Sequence, residues 1–189
     1  MQNEKVRMLV RMLCEGGLCV ALSVVLGYVE LEVGPSGGSI NATMTPLILF
    51  AIRWGWGWGV GIGLVFGTLK YFLGEGFVIS WVSIIFDYSV AYACVGFAGV
   101  LKRKANLAWL AALIGCVARF FIHYLSGATV YAEWMPEEFL GLTMTTPFFY
   151  SLLYNLFYML PSTVIAVVGV LALSKSPAVR KWLEGSDLK

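Results

Sequence analysis

The chain has 189 residues, of which 59% are hydrophobic and 13% are charged, and its formal net charge is +2. Soluble domains carry about 25% charged residues, so much of this chain's surface faces something other than water. The small net charge argues against a nucleic-acid partner. The cysteines form no C-x-x-C pair, so the sequence indicates neither a disulfide framework nor a metal site.

Six apolar segments follow one another along the chain, the second of them short. A helix needs about 20 mostly apolar residues to cross a bilayer, and these segments lack the alternation of barrel strands. Glu15 interrupts the first segment and no cleavage site follows it, so we interpret it as a retained helix rather than a signal peptide. The sequence predicts one all-α integral membrane domain with six transmembrane helices. The predicted helices cover residues 6–29, 40–53, 55–74, 78–101, 106–127 and 143–174.

The basic residues predict the orientation of these helices. With six crossings, eleven of the 13 Lys and Arg residues fall on one side, while acidic residues occupy the loops on the other. Because Lys and Arg concentrate in cytoplasmic loops, both termini are expected to be cytoplasmic. The eleven residues are Lys5, Arg7, Arg11, Arg53, Lys102, Arg103, Lys104, Lys175, Arg180, Lys181 and Lys189.

Glycines recur every four residues at the start of the third predicted helix. Such a face allows membrane helices to approach closely, so we interpret it as a packing surface and not as a phosphate loop.

Two outer loops differ from simple connections: residues 30–39 are rich in glycine, and residues 128–142 contain aromatic residues. They either form a lid over a pocket or merely connect helices at the membrane interface.

Four ionisable residues lie well inside predicted helices: Glu15, Asp87, Arg119 and His123. Such groups are costly in a bilayer and usually face a protein interior or a cavity. Asp87 needs a cation or several hydrogen-bond donors at its depth. Arg119 in a structural ion pair or a cationic ligand would both satisfy it. Lys70, nearer a helix end, is expected to snorkel outward.

Tyr150 and Asn155 add polar and aromatic groups to the sixth helix, and Tyr131 and Trp134 add rings in the preceding loop. One acid, one imidazole, one amide and several aromatic faces suit a flat, cationic, heteroaromatic ligand. Simple aromatic packing is the alternative.

Gly17 and Ala21 form a small-xxx-small face on the first helix. Such a face suits close contact with another helix. That helix belongs either to a partner protein or to this chain.

Four stretches of the chain resemble the thiamine-binding S-components of energy-coupling factor (ECF) transporters, the ThiT/YuaJ family. The resemblance spans nearly the whole chain and implies an S-component-like bundle. The stretches are GGSINATMTP from Gly37 to Pro46, FDY at Phe86–Tyr88, RFFIHYLSG from Arg119 to Gly127, and YSLLYNLFYMLPS from Tyr150 to Ser162.

The resemblance implies that the chain captures thiamine outside a bacterial cell membrane and delivers it inward. Delivery would occur on a module of one transmembrane coupling protein, EcfT, and two ATPases. The S-component itself is not an enzyme and needs no cofactor, because the partner subunits hydrolyse the ATP. The binding residues implied are Asp87, Tyr88, His123, Tyr150 and Asn155, and the docking face falls on Gly17 and Ala21.

The chain departs from the family pattern at several positions. A stacking tryptophan of the family falls on Tyr131, with Trp134 close by, and a family tyrosine falls on Phe77. Some members have Glu in place of Asp87.

Three other functions remain open at this point. The chain could serve another small vitamin or a thiamine precursor such as hydroxymethylpyrimidine. It could be a stand-alone proton-coupled carrier that uses Asp87, Arg119 and His123 as a relay. An intramembrane hydrolase using His123 and Ser126 is disfavoured, because no G-x-S-x-G motif is present.

Overall fold

The computed structural model describes residues 2–33, 37–74 and 78–188, and within them the chain is mostly helical. The spans Asn3–Gly27, Trp81–Leu101, Ala105–Thr129 and Pro147–Ser174 are long and apolar enough to cross a membrane. Glu75, Phe77 and residues 34–36 of the glycine-rich loop lie outside the described residues. The helices are α1 (Gln2–Gly27), α2 (Met44–Trp54), α3 (Trp56–Phe72), α4 (Trp81–Leu101), α5 (Ala108–Thr129), α6 (Pro147–Ser174) and α7 (Pro177–Glu184).

Two short antiparallel hairpins accompany the helices, in the two loops that the sequence singled out. The first pairs β1 (Leu31–Val33) with β2 (Gly38–Ile40), with Glu32 opposite Ser39. The second pairs β3 (Glu138–Phe139) with β4 (Leu142–Thr143).

The first hairpin descends into the bundle and explains why α2 is short. The backbone N–H of Gly38 donates to Tyr154 Oη at 2.9 Å, and that of Asn41 donates to Ser162 Oγ at 3.3 Å. Ser162 lies fifteen residues after Pro147 in α6, or about 22 Å along that helix. α2 begins close to this level, and its eleven residues extend about 16 Å further along the bundle. All of them are buried, so α2 is a central helix.

Three helices begin three or four residues later than predicted, each because a strand or a helix cap precedes it, whereas α1 begins four residues earlier than predicted. The helix predicted from residue 40 begins at Met44, since β2 continues to Ile40 and Asn41 Oδ1 accepts from the Thr43 N–H at 3.2 Å. The helix predicted from 78 begins at Trp81, behind a capping box at Ser80. The helix predicted from 143 begins at Pro147, capped by Thr146.

The glycine face of α3 packs directly on α4. A Cβ atom added at Gly63 or Gly67 would overlap the backbone carbonyl of Tyr92 or Tyr88, respectively. The predicted packing surface is therefore present. Opposite Gly67, residues Ile84–Val90 of α4 wind as a π-helix, a wide turn that is frequent at functional sites. Asp87 lies at the centre of this π-helical segment.

At the other end of the bundle, Arg53 joins α1, α2 and the C-terminal segment. Its side chain is 0% exposed; it donates to Glu15 Oε2 at 2.5 Å, to Asp187 Oδ1 at 3.0 Å and to the Trp182 carbonyl. Trp54 Nε1 also donates to Glu15, at 2.8 Å. Glu15, one of the predicted intramembrane charges, is thus held in an ion-pair network. We call these residues the Arg53 network.

The charge of Asp187 depends on this network. Hydrogen bonds from Arg53 lower the pKa of Asp187 below its ordinary value. A carboxylate with a lowered folded-state pKa stabilises the fold above the unfolded pKa, and the contribution is lost as the pH falls through the folded pKa. The network is therefore complete at neutral pH.

Replacing Arg53 with Leu is expected to destabilise the protein strongly, because it leaves Glu15 as a largely buried carboxylate without its main partner. Breaking such a pair typically costs about 3–5 kcal/mol. The control is Arg180→Leu, which breaks an exposed pair with Glu184 worth about 0–1 kcal/mol. Thermal unfolding in detergent should show a large fall in midpoint for the first variant alone. Equal midpoints would contradict a structural role for the network.

Candidate functional site

A cavity of about 780 Å³ opens between the N-terminal halves of α4 and α6 and the C-terminal half of α5. Its size is in the usual range for small-molecule sites. All seven residues that the sequence predicted for ligand binding line it: Asp87, Tyr88, His123, Tyr131, Trp134, Tyr150 and Asn155.

Asp87 is the central charge of this cavity. Its Oδ2 accepts from Ser126 Oγ at 2.9 Å, and its Oδ1 lies 3.1 Å from His123 Nδ1. Arg119 Nε lies 3.3 Å from His123 Nε2 and points its hydrogen at it. Because a guanidinium only donates, Nε2 must accept, and the imidazole proton then lies on Nδ1 and is donated to Asp87. His123 is therefore neutral in this arrangement.

Arg119 acts through this histidine and not in a direct ion pair with Asp87. Among the described residues, Asp87 pairs with His123 and also contacts Ser126 and Tyr131, whereas the Arg119 guanidinium lies over the Tyr92 ring at 4.0 Å. The structural ion pair considered as an alternative is therefore not formed. The Asp87 carboxylate retains room for a cation from the cavity.

Tyrosines from three successive turns of α6 form one aromatic wall. The ring centroids of Tyr150 and Tyr154 are 5.6 Å apart, and those of Tyr154 and Tyr158 are 5.5 Å apart. Phe139 of β3 packs edge-on against Tyr150 at 5.5 Å. Sequence reasoning singled out only Tyr150 for the site. The spacing of four residues could also have indicated Tyr154 and Tyr158.

Asn155 lines the cavity but is engaged mainly within the protein. Its Nδ2 donates to the Ser151 carbonyl at 2.8 Å, and its Oδ1 accepts from Tyr158 Oη at 2.7 Å. Ser151 Oγ in turn donates to the Tyr124 carbonyl at 2.8 Å. Asn155 Nδ2 also donates to the His123 carbonyl at 3.4 Å, so the amide links α6 to α5 and orients the hydroxyl of Tyr158.

Lys70 and Glu30 form a second charged pair on the cavity wall. Lys70 Nζ lies 3.4 Å from Glu30 Oε2, which also accepts from Ser39 Oγ at 2.6 Å and from Asn41 Nδ2 at 3.2 Å. The expectation that Lys70 snorkels outward is therefore wrong. The Lys70 side chain is buried because Glu30, the residue just before β1, supplies a negative charge inside the bundle. The first hairpin is held to the bundle by this pair.

Tyr131 and Trp134 stand at the cavity entrance, and Tyr88 lies on its wall. Burial, and then the negative charge of Asp87, raise the pKa of Tyr131 to about 12. Tyr131 therefore remains a neutral phenol at physiological pH. Trp134 is 59% exposed and lines the cavity. The ring of Tyr88 packs against Tyr71 at 5.9 Å.

Gly17 and Ala21, the predicted docking face, lie away from the cavity on an exposed side of α1. A Cβ atom at Gly17 would meet nothing within 4 Å, whereas one at the neighbouring Gly16 would meet Ile62 at 3.2 Å. Within the described chain, Gly16 therefore packs against neighbouring side chains, whereas Gly17 faces away from the bundle.

In residues 2–33, 37–74 and 78–188, no group of three or more His, Cys, Asp or Glu side chains is arranged to hold a metal ion. The chemistry available is that of charge, hydrogen bonding and aromatic contact.

Gly38→Ala is expected to weaken ligand binding about tenfold. The new Cβ would approach Tyr158 Cδ1 to 2.7 Å and displace the N–H that donates to Tyr154; one hydrogen bond contributes about 0.5–1.5 kcal/mol. The control is Gly61→Ala in α3, where a Cβ meets nothing within 4 Å. Calorimetric titration of both variants tests this. Wild-type affinity in Gly38→Ala would show that the hairpin contact is not needed for binding.

Known proteins resemble this chain over most of its length. The family described as Thiamine transporter protein (Thia_YuaJ) matches residues 13–180. Thiamine transporter ThiT of Bacillus subtilis (strain 168) is 32% identical over 192 residues, which cover 93% of this chain and 96% of that protein. Thiamine transporter ThiT of Lacticaseibacillus paracasei is 29% identical over 175 residues, 83% of this chain and 84% of that protein.

A solved structure of ThiT from Listeria monocytogenes has the same fold, with a TM-score of 0.80 at 24% identity, and covers 90% of this chain and 97% of its own. The family consists of transporters and not of enzymes. The apolar spans agree with a multi-pass protein of the bacterial cell membrane. The match over residues 13–180 and the similarity to the Bacillus subtilis protein show that this chain belongs to the thiamine transporter protein (Thia_YuaJ) family.

Proposed function

We propose that this chain is the S-component of an ECF importer, which captures thiamine outside the cell and delivers it inward when docked on EcfT and two ATPases. The observation that carries the proposal is the Asp87 carboxylate, held by His123 and Ser126 in an aromatic-lined cavity. Thiamine is a cation with two heteroaromatic rings, so a carboxylate and aromatic faces match both of its features.

Each predicted binding residue has a role in this proposal. Asp87 balances the cationic ring. His123, Tyr150 and Asn155 hydrogen-bond the aminopyrimidine or hold the groups that do. Tyr88 reaches the hydroxyl tail, and Tyr131 and Trp134 cover a ring face at the entrance.

The proposal includes six membrane crossings with both termini in the cytoplasm. α2 has 11 residues and α3 has 17, fewer than the about 20 of a usual crossing. The descent of the first hairpin to the level of Ser162 supports counting α2 as the second crossing. Non-helical backbone at membrane depth is tolerated where it is buried in protein or lines a cavity. The concentration of Lys and Arg near the Arg53 network supports placing that end in the cytoplasm.

A proton-coupled carrier is the second candidate, and the hydrogen-bonded series Arg119–His123–Asp87 favours it. Such a carrier would accumulate substrate in liposomes that contain this chain alone. An S-component would bind substrate there but accumulate it only with the ATPase module.

Tryptophan fluorescence of the purified protein, titrated with thiamine, tests the ligand directly. The chain has seven tryptophans, and Trp134 lines the cavity, so we expect saturable quenching at nanomolar thiamine and none with riboflavin or biotin. Trp134→Phe should lose part of the signal. No response up to high micromolar thiamine would overturn the ligand assignment, and hydroxymethylpyrimidine would be tested next.

A further inference from the structure

A second concavity, of about 500 Å³, lies at the end of the bundle that carries the Arg53 network. It is bounded by the first turns of α1, by the α2–α3 junction and by the loop after α4. We call it the basic groove. Lys5, Lys102 and Arg103 line one part of it, and Met8 and Leu9 line another.

Backbone structure positions two of the three cations of the basic groove, Lys102 and Arg103. The Arg103 N–H donates to the Ile52 carbonyl at 2.7 Å, and Arg103 itself adopts a left-handed conformation with φ of 59°. The Lys102 side chain lies across Gly55, where an added Cβ would be 3.1 Å from Lys102 Cδ. Gly55, at φ of 97°, thus provides both the turn and the space for this lysine.

These cations have no anionic partner in the part of the chain that the structure describes. None of Lys5, Lys102 and Arg103 forms a salt bridge there. The groove also includes Glu4, so its three cations face one carboxylate and the net charge favours an anion.

The apolar part of the groove is exposed on the outside of the bundle. Met8 and Leu9 are 42% and 46% exposed on α1, a helix apolar enough to span the membrane, and Trp58 is 50% exposed beside them. Tryptophan is typical of the level of the lipid headgroups. The cations match the phosphate of a phospholipid, and the exposed apolar strip beside them matches one of its acyl chains.

We propose that the basic groove binds an anionic phospholipid, with the phosphate on Lys5, Lys102 and Arg103 and an acyl chain along Met8 and Leu9. Basic pockets between membrane helices bind lipid headgroups in this manner. A small soluble anion would use the cations but leave the apolar strip uncovered.

Native mass spectrometry of the full chain, with dioleoyl phosphatidylglycerol and dioleoyl phosphatidylcholine as probes, tests this inference. We expect one phosphatidylglycerol bound at least tenfold more tightly than phosphatidylcholine. The variant Lys5→Gln/Lys102→Gln/Arg103→Asn should reduce this preference to less than twofold; Asn is chosen because it tolerates a positive φ. Lys5→Gln/Lys102→Gln alone, which leaves the loop residue unchanged, should remove most of it.

The matched control removes three other basic charges of the same end, with Arg7, Lys104 and Lys175 replaced by Gln. It should keep the lipid preference within twofold of wild type. An equal loss in this control would mean general surface electrostatics and would overturn a built site. Equal binding of the two lipids by the wild-type protein would also overturn the lipid site. A protein partner would then be the alternative occupant of the groove. Thiamine affinity, measured in parallel, should be unchanged in all variants.

Discussion

Asp87→Asn is expected to weaken thiamine binding by at least a hundredfold. The carboxylate receives hydrogen bonds from Ser126 at 2.9 Å and His123 at 3.1 Å, and it is the acid that we assign to the cationic ring. Removing one partner of a buried charge pair typically costs about 3–5 kcal/mol, and every 1.4 kcal/mol is about a tenfold change in Kd. The amide keeps the size of the side chain, so the loss reports charge and not shape.

Calorimetric titration of three variants separates charge from other effects. Asp87→Glu restores the charge with one more methylene and should recover most of the affinity, because the carboxylate still faces the cavity. Glu137→Gln removes an exposed acid outside the cavity lining and should bind as wild type does. Unchanged affinity in Asp87→Asn would remove Asp87 from the binding site.

The residues that form the cavity could be predicted because the membrane makes polar groups conspicuous. Asp87 and His123 interrupt otherwise apolar helices, and such groups are retained mainly where they face an interior. The structure brings them to 3.1 Å from each other. On α6 the sequence singled out Tyr150 and Asn155 but not Tyr154, although helical spacing places Tyr154 on the same face as Tyr150.

The first hairpin could not be predicted, because its position depends on long-range contacts. Gly38 reaches Tyr154 and Asn41 reaches Ser162 across more than a hundred residues of sequence. No local pattern in residues 30–43 indicates these partners. For the same reason Lys70 was expected at the surface, although Glu30 holds it inside.

The Arg53 network also escaped prediction, since its partners come from opposite ends of the chain. Glu15 was recognised as a costly charge inside a predicted helix, but Arg53 was counted only as a loop residue for orientation. The contact of Arg53 with Asp187 depends on α7 folding back under the bundle. Counting Lys and Arg residues predicts the side of the membrane on which a loop lies. The packing of the helices determines which charged residues form ion pairs.

Gly17→Trp and Ala21→Trp are expected to abolish thiamine uptake while leaving thiamine affinity within about twofold of wild type. Both positions are exposed on α1, and a side chain at Gly17 meets no atom of this chain within 4 Å. A tryptophan there is therefore tolerated by the fold. It would hold a partner helix away from a face whose small residues otherwise permit close approach.

The control for these variants is Val164→Trp, a comparable addition at a position on α6 that is 54% exposed. Uptake is measured in cells that express the ATPase module, and affinity is measured on the purified protein. Retained uptake in Gly17→Trp would place the docking face elsewhere on the bundle. Loss of affinity together with uptake would instead mean that the α1 face supports the fold of the binding site, because the cavity and this face are separated in the structure.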